Sequence, residues 1–481
     1  MIDEPDIEKV DERTLKAAEL RARLVAELEA SGTIRSEEVR QAFLSVPRES
    51  FLPPTLELER VYTDDAIVVK TDEAGIATSS SSQPALMADM LEALDLGPSM
   101  RVLEIGAGVG YNAAMLGTIV GDPALVTSID IDPEMVAIAR RNLLTLGPEW
   151  ERLHLMAADG GLGYLANAPY DRIIVTVQQW EIAPAWVAQL KVGGRLLLPL
   201  SVSRHIWNSL IPAFVKQPDG TLVAVDGSTG GFMLMRGQFQ HPTTVMAMLT
   251  GDSPDPQDSL PLPAQLIPTF SDKLDANPVY YLNYSHNEAA AVLAERPTGF
   301  VFQPHGAWNL PMPKLPRVAR DGGNWSRLNP EQRYFILQHQ SFITFVTIAL
   351  QDQLANALVR VELKENKAQA EEARPQYTLN SFGLALLEPR GDGSFDVVII
   401  LPNDYVVGLR LVAAKQSQSL PTSANQALAR LEQLYGLWVK AGRLNVNQYR
   451  PIAYPASQLQ PAPGFVVSRQ YYNLLLPLPT L

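Results

Sequence analysis

Three glycines at alternate positions follow a short apolar run in Val102-Leu103-Glu104-Ile105-Gly106-Ala107-Gly108-Val109-Gly110. The pattern reads as a strand entering a sharp turn, with a helix behind it. Glycine lets the chain turn there and lets a ligand approach the backbone without a Cβ in the way. The helix start behind the turn offers free N–H groups, a place that suits a ligand carboxylate. Dinucleotide sites use the spacing G-x-G-x-x-G, whereas here it is G-x-G-x-G and position 111 is Tyr. That departure favours a loop for S-adenosylmethionine (SAM) over a pyrophosphate cradle. Twenty residues after Gly110, Asp130 ends the apolar run Val126-Thr127-Ser128-Ile129-Asp130. A carboxylate at that place accepts both ribose hydroxyls and repels a 2′-phosphate. Asp159, in Ala158-Asp159-Gly160 after the next strand, is placed to receive an adenine amino group. The expected cofactor set is therefore Glu104, Gly106, Gly108, Gly110, Asp130, Asp159 and Gly160. Taken alone, the glycines equally describe a tight strand–helix turn. An isolated Asp at a strand end is often a helix N-cap, a role open to Asp132.

The elements that position these residues alternate between residues 84 and 210. Strands are expected at Arg101–Ile105, Val126–Asp130, Arg152–Met156, Arg172–Thr176 and Arg195–Pro199, and helices at about 84–95, 110–120, 133–146 and 183–190. Strand–helix alternation of this kind implies a parallel sheet with helices on both faces. Upstream, residues 12–31 carry Leu20, Leu24 and Leu28 on one helical face before Gly32. A short helix starts near Ser36, with Val39, Ala42 and Phe43 on one face, and ends at Pro47. Downstream, residues 252–268 hold five prolines and read as a linker. Apolar runs at Arg360–Leu363, Phe382–Leu387, Phe395–Leu401 and Tyr405–Val412 read as strands, followed by a helix at about 422–441. That helix places Ala424, Ala427, Leu428, Leu431, Leu434, Tyr435 and Trp438 on one face, and Gly442 is placed to end it. Two late strands, near Pro451–Tyr454 and Phe465–Leu476, are expected to close this part. The expected fold is thus α/β, a Rossmann-like doubly wound sheet with a C-terminal α+β domain. Its divisions are 1–80 (helical region and substrate-side loop), 81–245 (cofactor-binding domain), 246–268 (linker) and 269–481 (accessory domain).

Composition narrows the chemistry. The 481 residues are 46% apolar and 19% charged, ordinary for a globular protein of two or three domains. The formal net charge of −13 argues against nucleic acid or an anionic membrane as the main partner. Cysteine is absent, which excludes disulfides, thiolate metal sites and cysteine nucleophiles. The six histidines are scattered without metal-ligand spacing, so no zinc site is expected. The acidic start and the lack of any apolar run approaching ~18 residues point to a cytoplasmic protein. Asp64-Asp65 and Glu371-Glu372 read as solvated charges. Trp180, Trp186 and Trp438 read as core or pocket wall, and the run Ser79–Ser82 as a flexible loop or lid.

Several ordered segments resemble one family. Phe43-Leu44-Ser45-Val46-Pro47-Arg48-Glu49-Ser50-Phe51-Leu52-Pro53 resembles the N-terminal signature of protein-L-isoaspartate O-methyltransferases. Ser82-Gln83-Pro84 is similar to that family's Ser-Gln-Pro element. Ala168-Pro169-Tyr170-Asp171-Arg172-Ile173-Ile174-Val175-Thr176 and Gln189-Leu190-Lys191-Val192-Gly193-Gly194-Arg195 resemble its later motifs. The resemblance covers about residues 36–200 in order. It departs between Tyr62 and Ser82, where Asp65-Ala66-Ile67-Val68-Val69-Lys70 and the serine run replace a shorter glycine-containing loop. It departs again at Thr176-Val177-Gln178-Gln179-Trp180, which replaces small residues and is expected to shape the substrate pocket. The chain also continues far beyond the matching part. Tyr111-Asn112-Ala113-Ala114, Gly231-Phe232-Met233-Leu234-Met235-Arg236-Gly237 and the helix ending in Trp438 resemble a longer bacterial subgroup associated with lanthipeptide and graspetide biosynthesis.

The resemblance implies SAM as methyl donor and a protein or peptide carboxylate, aspartyl or isoaspartyl, as acceptor. The partner would be a damaged protein or a ribosomal precursor peptide. A carboxylate is already ionised at neutral pH, its reference pKa being about 4, so no strong general base is needed. The work left to the protein is positioning and desolvation. Ser82 is the expected catalytic residue, its hydroxyl orienting the acceptor carboxylate. A helix N-cap before Pro84 is its alternative role. After methylation the next backbone nitrogen attacks the ester, expels methanol and leaves a succinimide. Small-molecule methylation and a non-enzymatic SAM-binding scaffold are the competing classes.

Overall fold

A computed structural model describes residues 7–202 except 74 and 76, then 208–241 and 426–477 except 444–447. Between these it describes strands within 280–413 and part of 341–349. The expected linker at 246–268 lies outside the described residues.

The chain opens with α1 (Ile7–Ala30), α2 (Glu37–Ser45) and α3 (Leu58–Val61). Ser36 caps α2 by accepting from the Val39 amide at 3.4 Å, and Val39, Ala42 and Phe43 are buried, as their spacing implies. A hairpin follows, β1 (Ile67–Thr71) and β2 (Ala77–Ser81), then α4 (Pro84–Leu94). Alternation then takes over: β3 (Val102–Ile105), α5 (Tyr111–Val120), β4 (Val126–Asp130), α6 (Pro133–Leu144), β5 (His154–Ala157), β6 (Tyr170–Val175), α7 (Pro184–Gln189) and β7 (Leu190–Leu197). The strand expected from Arg152 starts at His154 because a 3-10 turn occupies Pro148–Arg152.

The five strands β3–β7 pair in parallel in the order β7-β6-β3-β4-β5. The order reverses at β3, the place where doubly wound sheets open a crevice beyond their carboxyl ends. Side-chain alternation sends Val102, Ile174 and Leu197 into one apolar cluster with α1, α2 and α4–α6. Leu103, Ile105, Ile129 and Ile173 enter a second cluster on the other face with Trp186 of α7. Both faces are covered, which is what runs as apolar as these require.

The sheet continues with β8 (Asn208–Lys216) and β9 (Leu222–Gly231), both antiparallel. A second sheet holds β10 (Tyr280–Ser285), β11 (Glu288–Leu293), β12 (Phe300–Asn309), β13 (Ala355–Glu365), β14 (Ser381–Pro389), β15 (Phe395–Ile400) and β16 (Tyr405–Ala413). Its order is β11-β10-β13-β14-β15-β16-β12, with β10–β13 the parallel pair. The helix α8 (Gln426–Lys440) follows, its Gln426 amide donating to Asp396 of β15 at 2.8 Å. Leu431, Leu434, Tyr435 and Trp438 of α8 join the same apolar cluster as Trp186.

The late strands correct the expectation for residues 269–481. They number three, β17 (Ile452–Pro455), β18 (Gly464–Val467) and β19 (Tyr472–Pro477). They do not close the second sheet: β17 pairs with β9, extending the first sheet in the order β18-β19-β17-β9-β8-β7. The edge of β9 otherwise carries unpaired backbone groups, and a returning strand satisfies them. Among the described residues no helix is long and apolar enough to cross a membrane.

Candidate functional site

The glycine loop is built by backbone geometry. Gly106, Gly108 and Gly110 have φ of +100°, +52° and +90°. At Gly106 a Cβ would lie 2.3 Å from Thr176 Oγ1, the hydroxyl that donates to the Ile105 and Gly106 carbonyls at 3.0 and 2.8 Å. At Gly110 a Cβ would press on Ala139 of α6 at 3.1 Å, so this glycine lets α5 and α6 approach. Gly108 faces the serine run, since a Cβ there would sit in ordinary contact with Ser79 Oγ at 3.7 Å and the Ser80 carbonyl at 3.9 Å. The amides of Gly106 and Ala107 donate to the Ile129 carbonyl at 2.8 and 3.1 Å, tying the loop to β4.

The carboxylates divide into two kinds. Asp130 accepts from the Gly108 amide at 2.9 Å with one oxygen and from the Asp132 amide at 3.0 Å with the other. Each oxygen keeps lone-pair capacity for a further donor. Glu104 is fully buried; Ser128 Oγ donates to one of its oxygens and Asn112 Nδ2 to the other at 2.7 Å. Burial pushes its carboxyl up to about 7, against the pull of those hydrogen bonds, with Asp130 adding to the rise. Asp159 accepts from the Gly161 amide at 2.9 Å and the Gln238 amide at 2.6 Å.

A cavity of about 640 Å³ opens beyond the carboxyl ends of β3 and β4. Of the sequence-predicted set, Gly106, Gly108, Asp130, Gly160 and Ser82 line it. Glu104, Gly110 and Asp159 are absent from its wall. Glu104 fastens α5 and β4 to β3. Asp159 caps the turn at Gly160–Leu162 and accepts from the Gln238 amide, tying that turn to the 237–238 backbone. The wall also includes Met233–Arg236, which the sequence reading did not assign to the site.

The opposite wall is the serine run. It is strand β2 rather than a loop, paired antiparallel with β1 in the register Ile67↔Ser81 and Val68↔Ser80. Ser79 and Ser81 are buried on one face of it. Thr78 Oγ1 and Ser81 Oγ are buried without a hydrogen-bond partner. Lys70 of β1 reaches Asp132 at 2.6 Å and Glu134 at 2.7 Å, holding the hairpin to the start of α6.

Two buried charges support Ser82. Arg48 is fully buried. Its Nη1 donates to the carbonyls of Val61 (2.9 Å) and Thr63 (3.1 Å), and its Nη2 to those of Asp65 (3.1 Å) and Ser82 (3.0 Å). Burial holds this guanidinium below its usual pKa. Asp64 is not a solvated charge: only 6% exposed, it accepts from the Ala85 amide at 2.8 Å and from Gln83 Nε2 at 3.0 Å. Burial pushes its carboxyl up. Asp64 thus satisfies the start of α4, where the N-cap position belongs to Gln83 and not to Ser82. Among the described residues the Ser82 hydroxyl makes no hydrogen bond. The Pro47-Arg48 motif was visible in the sequence, but its role as a staple between the 61–65 turn and Ser82 was not. Phe51 of the same motif packs on Tyr111 behind the glycine loop, with ring centroids 5.4 Å apart.

The segment 176–180 has two parts, one on the cavity wall and one behind it. Thr176 and Val177 line the cavity. Gln178 and Gln179 are fully buried, and Gln178 exchanges backbone hydrogen bonds with Met233 (2.7 Å) and Met235 (3.0 Å). Arg469, between β18 and β19, stacks on the Trp180 ring at 3.6 Å and donates to the Trp180 carbonyl at 3.0 Å. These residues dock the returning strands.

The family model for Protein-L-isoaspartate(D-aspartate) O-methyltransferase (PCMT) matches residues 19–230. A protein-L-isoaspartate O-methyltransferase of Thermotoga maritima is 42% identical over 167 residues, 35% of this chain and 51% of that protein, so the match spans about half of the relative. One of Pyrococcus horikoshii is 39% identical over 201 residues, 42% of this chain and 85% of that protein. A solved structure titled protein-L-isoaspartate O-methyltransferase superposes with a TM-score of 0.43 at 22% identity, covering 90% of this chain and 96% of that one. With residues 19–230 matched and most of the Pyrococcus relative spanned, the chain belongs to the protein-L-isoaspartate O-methyltransferase family of SAM-dependent enzymes.

Proposed function

We propose that the protein methylates the free α-carboxylate of an isoaspartyl residue in a protein or peptide. The observation that carries this reading is one cavity that joins Gly106, Gly108 and Asp130 to Ser82. The residues fit SAM: a side-chain-free backbone at Gly108, a carboxylate at Asp130 with unused acceptor capacity, and buried hydroxyls at Thr78 and Ser81 that lack partners. SAM, when bound, supplies an electrophilic methyl group on a sulfonium. Asp130 would accept the ribose hydroxyls, and Gly160 lets the next turn pack closely on Ile105 in the cavity wall, since a Cβ there would meet Ile105 Cγ2 at 2.5 Å. Glu104, Gly110 and Asp159 act from behind the wall by fixing the loops.

The acceptor side needs no base. The Ser82 hydroxyl donates to the substrate carboxylate and turns one oxygen toward the cofactor end. Arg48 holds the Ser82 carbonyl and Asp64 holds the helix behind it, so this hydroxyl is presented by rigid backbone. The apolar wall formed by Ile105, Val177 and Phe232 strips water from the carboxylate. The ester then closes to a succinimide without further help from the protein.

A narrower reading makes the acceptor a ribosomal precursor peptide and places the chain in the longer bacterial subgroup. The second sheet and α8, beyond the matched residues, support it as a surface for one dedicated substrate. In either reading the substrates are cytoplasmic and residues 269–450 act as an accessory unit. The test is transfer of labelled methyl from SAM to two peptides that differ only in one aspartyl or isoaspartyl residue. Base-labile label on the isoaspartyl peptide, reduced in Ser82→Ala, is the expected result. No label on either peptide sinks general isoaspartyl methylation and leaves a dedicated peptide as the acceptor.

A further inference from the structure

The cavity extends beyond Ser82 along α4. Leu86, Asp89 and Met90 form one face of that helix and line it, with Ser228–Gly230 of β9 opposite. The two walls approach each other at Leu86, where a Cβ on Gly230 would lie 3.0 Å from Leu86 Cδ2. Asp89 is the charged side chain on this stretch of wall. Its cationic neighbour is Arg35, at 3.4 Å, and both side chains remain partly exposed, at 37% and 48%.

The surroundings leave the Asp89 carboxylate poorly compensated. Glu92, one turn on, spends one oxygen on the Arg35 amide, the Ser36 amide and the Ser36 hydroxyl, at 2.7, 2.8 and 3.0 Å. Asp226 of β9 lies on the same side, with Arg450 at 3.9 Å from it. Partial burial, with Asp226 and Glu92 nearby, pushes the Asp89 carboxyl up against the pull of Arg35. A cation arriving from the cavity would relieve that deficit.

Asp89 lies seven positions after Ser82, and α4 begins at Pro84. Five helical steps of about 1.5 Å and two extended steps of about 3.3 Å place the two residues no more than about 14 Å apart. An extended peptide covers such a distance in roughly two to four residues.

We infer that Asp89 is a specificity-determining residue that favours acceptors carrying Lys or Arg two to four residues from the methylated carboxylate. The inference rests on the isoaspartyl reading of the reaction. The experiment measures kcat/KM for the full chain on isoaspartyl peptides with Lys, Ala or Glu at each position from one to four residues on either side. The same series is run with Asp89→Asn and Asp89→Lys. At one position the wild type prefers Lys over Glu by about fivefold, a ratio that shrinks at high salt. Asp89→Asn brings the ratio near one, and Asp89→Lys inverts it. Because each ratio is internal to one enzyme, a general loss of activity in a variant does not disturb it. An equal Lys-to-Glu ratio in all three enzymes overturns the inference while leaving isoaspartyl methylation intact. Failure of the wild type on every isoaspartyl peptide, the Ala series included, removes the reading itself and the inference with it.

Discussion

The two walls of the cavity solve opposite problems. On the glycine-loop side the polar groups satisfy one another: Asp130 holds the Gly108 and Asp132 amides, and Glu104 holds Ser128 and Asn112. On the β2 side, Thr78 and Ser81 keep buried hydroxyls without partners, while the charges that fix the wall, Arg48 and Asp64, lie behind it. The first side is fixed by its own hydrogen bonds, with acceptor capacity left on Asp130. The second is held rigid from outside and leaves its inward hydroxyls for a ligand. A site that must hold a cofactor in one pose and receive varied acceptors gains from both arrangements.

The largest expected effect tests the outside support. Arg48→Met removes a buried guanidinium and releases four carbonyls, and should cost about 3–5 kcal/mol of stability. Urea unfolding followed by tryptophan fluorescence reads it, and a loss below 1 kcal/mol would show that the β2 side does not depend on this staple. Gly106→Ala tests the glycine-loop side. Its Cβ meets Thr176 Oγ1, and titration calorimetry with S-adenosylhomocysteine should show at least a roughly 100-fold loss of affinity. Unchanged affinity would mean the loop is not fixed as described. Ser82→Ala separates the walls, since kcat should fall about tenfold with cofactor affinity unchanged. An equal loss in cofactor affinity would place Ser82 on the wrong side of the comparison.

Glu104→Gln gives a pH signature. The carboxyl is raised from 4.5 to about 7 in the folded chain. The folded state therefore holds a proton that the unfolded state gives up. This group's contribution to stability is full below pH 4.5 and is lost as pH rises through 7. Glutamine has no such loss. The stability of the variant relative to wild type should rise between pH 5 and pH 7.5 and level off above that, and a flat difference refutes the burial argument. The smallest effect is Ser81→Ala. Removing a hydroxyl that has no partner should be neutral or raise the unfolding free energy of the ligand-free protein slightly, by about 1 kcal/mol at most, in urea unfolding. A loss of more than that would mean the hydroxyl is already satisfied.

How much of this was legible depends on range. The glycine loop and the strands β3, β4 and β6 were readable because their signals lie within a few residues. Ser36 as the α2 cap was readable for the same reason. Asp64 was misread as a solvated charge. Its burial is created by α4 docking on the turn that Arg48 gathers, so nothing next to Asp64 in the chain announces it. The serine run lacks apolar alternation and looked like a loop; it is a strand because Ile67–Thr71 lies alongside it. The hydrogen bond from the Gln238 amide to Asp159 spans 79 residues, and nothing near Asp159 in the chain announces it.

By itself, then, the sequence determined the doubly wound α/β sheet, the glycine turn and the family, since local periodicity and short ordered motifs specify each. The tertiary structure alone decided which side chains share the cavity and which stand behind it. It also decided where the last strands go. The runs at 452–455, 464–467 and 472–477 read as strands in any context. Pairing with β9 instead of the second sheet depends on an open edge that exists only once the first sheet has formed. Backbone hydrogen bonds carry no residue code for their partner, so that choice belongs to the assembled fold.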